Sequence, residues 1–357
     1  MRFVPLMVAL LAAGAARGSS IRDEISVLGA QSTPQTPRAG NVSNLFGIAV
    51  DVGEGWTISG TAHVTVEEST PAPAGSGFPD RGGVVTAFSA AVDWEATSNW
   101  AFGLALDVSP ESTITSDARI NVPVTPQGEN TTRADALVRA ASSYLSAEFL
   151  ATYDTSGFSD LEWFFTGAIA LSRFDTNQHI DEARRQNGAV LSSSELRSLC
   201  GSQSSSCYPY LPAIDGLSDQ LRSARLSLGA LATIATHTDV GLSADYYGYF
   251  DDPSNVGVFS LASVGRFGAG APIAPLRFVV RPEVTHRIGP LSLRLWAQAG
   301  EYVANVGRGT ATIGTKVQYR FSRAFRMWIG AAGQRDVGNT GEVSRSGWLS
   351  LGAAYRF

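Results

Sequence analysis

The last thirteen residues of the chain, Arg345 to Phe357, alternate strictly in character. Leu349, Leu351, Ala353, Tyr355 and Phe357 share one parity, and Ser350, Gly352, Ala354 and Arg356 share the other. Side chains along a strand point to opposite faces in turn. The segment is therefore a strand with one apolar face and one small or polar face. The apolar face runs to the final residue, where the terminus of a soluble domain ordinarily frays.

The same alternation recurs upstream. Fourteen segments carry it: 45–53, 56–66, 84–95, 99–108, 136–154, 160–174, 220–235, 239–250, 256–267, 275–287, 290–301, 310–321, 325–335 and 345–357. Turn residues separate most of them, as at Gly53-Glu54-Gly55 and Gly289-Pro290. In 310–321, Ala311, Ile313, Val317, Tyr319 and Phe321 oppose Thr312, Lys316, Gln318 and Arg320. An Arg or Lys facing lipid at midplane costs ~2–4 kcal/mol. In a membrane the apolar parity therefore faces lipid and the charged parity faces a lumen. A soluble β-sandwich alternates too, with its apolar face turned inward.

Composition separates these two architectures. Charged residues are 17% of the chain, below the ~25% of an ordinary soluble domain. The N-terminus has Arg2, then an apolar run from Phe3 to Ala13, then small residues suited to cleavage, so 1–18 is a secretory signal peptide. That run is too short to span a bilayer, which takes ~20 apolar residues. The formal net charge of −5 gives no sign of a nucleic-acid partner. At ~10 residues per spanning strand plus turns, residues 44–357 make one barrel of roughly 12 to 16 strands. Residues 19–43, with Pro34 and Pro37, read as a flexible lead-in.

The closing strand with its terminal Phe357, and the pattern before it, resemble Gram-negative outer-membrane β-barrel proteins. That resemblance implies an all-β, antiparallel up-and-down transmembrane barrel of about 14 strands in the cell outer membrane. It further implies contact with outer-membrane lipid and lipopolysaccharide. Leu351, Tyr355 and Phe357 become the signal read by the barrel-assembly machinery, and the protein is a monomer or a homotrimer. Long connections near 67–83, 109–135 and 175–219 then belong outside and short turns in the periplasm. Counted from residue 45, however, the fourteen segments put those three connections on the side of the termini. Either a strand between 220 and 357 is mis-split, with 256–287 the suspect stretch, or the barrel carries long periplasmic loops. Segment 112–124 also alternates and is a candidate further strand or hairpin.

Sorting charges by parity gives an acidic wall of Asp51, Asp93, Glu95, Asp107 and Glu148 from early strands. Late strands give a basic wall of Arg277, Arg281, Arg294, Lys316, Arg320 and Arg326. Opposed walls set a field across a low-dielectric pore, as in general porins. The expected function is a channel for passive passage of small hydrophilic or charged solutes. One alternative is an export barrel for an anionic exopolysaccharide, whose carboxylates suit the arginine fork. Another is a non-channel surface receptor, adhesin or structural barrel.

Cys200 and Cys207 lie in Ser/Gly-rich sequence of an exported chain and are expected to form a disulfide. Two Cys with no neighbouring His leave too few ligands for zinc. Ser192 to Leu199 reads as a short helix capped by Ser193 or Ser194. The four His, at 63, 179, 237 and 286, form no signature with a nucleophile. The chain is expected to be no enzyme, with no cofactor and no metal site.

Overall fold

The computed structural model describes residues 19–31, 39–70, 81–126, 130–155, 162–202, 205, 207–208, 211–253, 275–303, 308–337 and 343–357. The N-terminal half holds β1 (Ser20–Gln31), β2 (Ala39–Gly53), β3 (Trp56–Thr70), β4 (Arg81–Glu95), β5 (Trp100–Pro123), β6 (Thr131–Asp154) and β7 (Glu162–Arg185). A short excursion follows, with β8 (Val190–Ser192), α1 (Ser193–Cys200) and α2 (Leu211–Asp215). The chain returns as β9 (Leu217–Ala235), β10 (Thr238–Tyr249), β11 (Leu276–Ile288), β12 (Leu291–Tyr302), β13 (Gly309–Arg320), β14 (Phe325–Val337) and β15 (Val343–Arg356).

Every consecutive pair in the wall is antiparallel, β7 pairs with β9, and β1 pairs with β15. Fourteen strands thus close into an up-and-down barrel, while β8 extends the edge of β7 beyond β9. The expected strand number holds, but its membership changes. Residues 20–31 and 39–43 belong to strands and not to a flexible lead-in: β1 lies between β2 and β15, with Ile25 opposite Leu351 and Val27 opposite Leu349. The proposed strand 256–267 falls outside the described residues, as does the signal peptide 1–18.

That exchange removes the conflict over sidedness. With β1 as the first strand, the turns at 54–55, 96–99, 236–237, 289–290 and 321–324 all lie on the side of both termini. The strand ends that flank 71–80, 124–130, 186–216 and 250–275 all lie on the other. Short turns face the periplasm in outer-membrane barrels and long loops face outside. The turn Gly53-Glu54-Gly55 takes positive φ at all three residues, which glycine tolerates on either side of Glu54.

The wall is uneven in height. β5, β6 and β7 have 24 residues each, more than twice the ~9–11 that span a bilayer. On β7 the outward face reads Trp163, Phe165, Ile169 and Leu171, all exposed and apolar, and then Arg173, Asp175 and Asn177. One membrane span therefore ends near Leu171 and the upper half stands clear of it. There the pattern inverts, and the inward face becomes the apolar one, with Ile120, Val122, Ala134, Ala136, Val138 and Ile180 buried. A register shift between Ser109 and Ser112 carries β5 through the change. The shift breaks the period of two, which is why 109–135 reads as a loop. Its true connection is 124–130, and that of 175–219 is 186–216.

Aromatic side chains ring the outward face near the short turns. Trp56 stacks on Trp94 with centroids 5.4 Å apart, and Trp100 meets Tyr153 at 4.8 Å. Tyr319 lies on Phe321, and Tyr355 on Phe357. Such girdles sit at the membrane interface. The β1–β15 seam is directly testable, because opposite residues alternate between wide and close Cα spacing. Either Ser26→Cys/Ser350→Cys or Ile25→Cys/Leu351→Cys cross-links on mild oxidation, seen as a mobility shift on non-reducing gels. A free lead-in gives neither.

Candidate functional site in the barrel lumen

The inward parity carries the charged and polar groups, and they pair between strands one or two apart. Arg281 of β11 donates from Nη1 to Asp245 of β10 at 2.5 Å and from Nε to Gln298 of β12 at 2.9 Å. Arg287 pairs with Asp239, Arg294 with Glu283, and Arg225 of β9 with Glu148 of β6. The Asp245 and Asp239 side chains are only 5% and 8% exposed. Buried charges persist only when paired, and this ladder pairs them.

The two-wall arrangement therefore needs correction. Arg281 and Arg294 are neutralised by carboxylates on adjacent strands, and Glu148 of the acidic set is bridged by Arg225. Arg277 is not in the lumen: it sits at a register shift between Leu276 and Phe278, is 62% exposed and faces Glu301 at 3.7 Å on the long-loop rim. Asp51 caps its own turn by accepting from the Gly53 amide at 2.9 Å, and Glu95 is exposed at the end of β4. Asp93 and Asp107 do line the lumen. Asp93 lies against Gly103, and Asp107 accepts from Ser89 Oγ at 2.5 Å. Lys316, Arg320 and Arg326 line it on β13 and β14, five to seven strands away around the ring. A transverse asymmetry survives, reduced to these residues.

Asp239 and Asp245 were missed, although the outward run Val240, Leu242, Ala244, Tyr246 places both on the inward parity. Asp336 was missed because 325–335 stops one residue short of it. It is 2% exposed, accepts from Tyr302 Oη at 2.6 Å and is bracketed by Gln334.

Tryptophans line this wall without crossing it. A Cβ on Gly314 would clash with the Trp296 ring, and one on Gly352 with Trp328, so each indole lies flat over a glycine on the next strand. Lys316 Nζ stands 4.1 Å from the Trp328 ring centroid, with Arg22 at 5.2 Å, both within cation–π range. Towards the long loops the inner face turns aromatic. Phe174 and Leu221 pack with Tyr144 and Tyr249, and Leu276, Val279 and Tyr302 pack with Tyr247.

Beyond this arc, α1 and α2 cover the inward face of the tall wall. Leu196, Leu199, Cys200, Cys207 and Ile214 join the apolar cluster of β5–β7. Cys200 and Cys207 form the expected disulfide, with Cα atoms 5.1 Å apart. The helix cap is Ser192, ahead of both expected positions, Ser193 and Ser194, in a reciprocal capping box with Glu195. Leu351 and Tyr355 face outward on β15 and Phe357 follows just beyond its end, 55%, 47% and 45% exposed.

No protein-family profile matches the chain, and no curated protein matches it in sequence. Solved structures do match in fold. A FadL homologue of Pseudomonas aeruginosa is 14% identical, with a TM-score of 0.53 over 96% of this chain and 91% of that one. The toluene transporter TodX of P. putida is 12% identical, with a TM-score of 0.52 over 96% and 91%. The monoaromatic hydrocarbon channel CymD is 11% identical, with a TM-score of 0.53 over 100% and 92%. At such identities the likeness is one of fold. By that fold, and by the apolar band and aromatic girdle around it, the protein is a transmembrane β-barrel of the Gram-negative outer-membrane kind.

Breaking one rung of the ladder leaves a buried charge alone. Arg281→Ala lowers stability by about 1–3 kcal/mol, less than for a wholly buried pair because Arg281 is 37% exposed. Arg281→Met with Asp245→Leu recovers part of that loss. Urea midpoints of the detergent-folded barrel measure both.

Proposed function

We propose that the barrel is an outer-membrane channel for small hydrophilic or charged solutes. The observation that carries this reading is the lumen wall itself. Within the membrane span its inward parity carries polar and charged groups, among them Ser43, Asp107, Ser146, Arg225, Arg281 and Gln298, with the Trp296 and Trp328 rings held flat against glycines. A side-chain-lined aqueous path is what such a wall supports. The field it offers is set by Lys316 and Arg320 on one side and by Asp93 and Asp107 on the other.

Planar-bilayer recording tests the reading. Discrete conductance steps are expected, and their absence in several salts overturns it. Two unit charges ~10 Å apart in water interact by about 0.4 kcal/mol. Lys316→Gln removes one such charge, taking away that attraction for anions and that repulsion of cations, so the anion-over-cation permeability ratio falls roughly fourfold.

A second reading has its own support, namely passage of apolar solutes. The aromatic arc of Tyr144, Phe174, Tyr247, Tyr249 and Tyr302 gives such solutes a surface. Two of the proteins similar in fold are described as a toluene transporter and a monoaromatic hydrocarbon channel. Entry of radiolabelled toluene into proteoliposomes discriminates. Uptake several-fold above protein-free vesicles, reduced by Tyr247→Ala/Tyr249→Ala, favours this reading, and uptake equal to the control removes it.

A further inference from the structure

The geometry points to a binding site for small phosphate-bearing anions at the periplasmic mouth of the lumen, built by Arg320, Arg323, Arg326 and Arg356. Register brings these residues together. Arg320 and Arg326 are directly opposite on β13 and β14 and share the inward face. Ala354 is opposite Arg326, so Arg356, two residues on, is its diagonal neighbour on that face. Arg323 belongs to the turn that joins β13 to β14. The four line one pocket of about 370 Å³ together with Gln318 and Ser322.

Their electrostatic state differs from that of the other lumen arginines. Arg225, Arg281, Arg287 and Arg294 each hold a carboxylate. Among the described residues, no ion pair joins Arg320, Arg323, Arg326 or Arg356 to any carboxylate. Like charges directly opposite one another destabilise a sheet, so the cluster costs the empty barrel stability. A dianion between them turns that repulsion into attraction.

The scaffold is held in place before any ligand arrives. Ser322 Oγ accepts from the Ala324 and Phe325 amides at 3.1 and 3.0 Å. The Arg356 amide donates to Ala324 O at 2.8 Å, and the Arg320 amide to Pro290 O at 2.9 Å. These bonds tie the turn to β15 and to the neighbouring turn, so the guanidiniums are presented from fixed backbone. Guanidinium forks match the oxygens of a phosphate group. A carboxylate offers two oxygens and one charge, too little for four cations. The pocket has the size of a small-molecule site, and Arg320, Arg326 and Arg356 share the inward parity, which favours a solute over a macromolecular partner.

This inference rests on the channel reading for the ligand's route, though not for binding itself. The test uses the full-length protein in detergent, titrated calorimetrically with pyrophosphate, alongside bilayer recording with pyrophosphate in one chamber at a time. Saturable binding is expected, weakening as salt is raised, with block stronger from the short-turn side. Arg320→Gln/Arg326→Gln weakens it about tenfold or more, Arg356→Gln weakens it less, and Arg335→Gln/Arg345→Gln on the outward face leaves it unchanged. Retained heat-modifiability on gels shows that the variants are folded. No saturable binding, binding indifferent to Arg320→Gln/Arg326→Gln, or succinate binding as tightly as pyrophosphate each overturns the site. Conductance without pyrophosphate binding sinks the site and spares the channel. Binding without conductance sinks the channel and spares the site.

Discussion

Lipid offers no hydrogen bonds to a backbone, so a sheet can cross a membrane only if it has no edge. The seam between β1 and β15 meets that condition here. Twelve residue pairs, Ser20 with Arg356 through Gln31 with Arg345, join the two ends of the chain. The Phe357 amide adds a last bond to Ser19 O at 2.8 Å. With that seam in place, both termini lie on one side and every long connection on the other. The inward and outward parities of all fourteen strands follow from the same closure.

The tall wall of β5–β7 shows two solvents acting on one strand. Within the membrane span the outward face is apolar and the inward face polar. Above it, water lies outside, and the same strands turn their apolar residues inward under α1 and α2. The disulfide and the capping box stabilise this cover locally, closing a loop and satisfying the first turn of a short helix.

Charge in the lumen follows a neighbour rule rather than a wall rule. Where β10, β11 and β12 lie side by side, each arginine finds a carboxylate within one strand's width, and the field of that arc largely cancels. Where β13, the turn and β15 meet, the adjacent inward residues are Gln318, Ala354 and serines, and the arginines stay unpaired. Uncompensated charge is what acts on a passing solute. The asymmetry of charge among the described residues is therefore concentrated at the short-turn mouth of the barrel.

Alternation alone determined the strand class and the outward faces of most strands. Those properties depend on residues two apart in sequence. It failed at β1, where Arg22, Asp23 and Glu24 look like solvated tail. In the barrel Arg22 and Glu24 pair with each other facing the lumen, and Asp23 accepts from Asn44 Nδ2 of β2 at 2.7 Å. It failed again at Ser109–Ser112, where one extra residue hides a strand, and at Arg281 and Arg294, whose partners lie on other strands. Pairing, register and cancellation of charge depend on which strands become neighbours. Only closure of the barrel decides that, because the last strand finds its partner more than three hundred residues away.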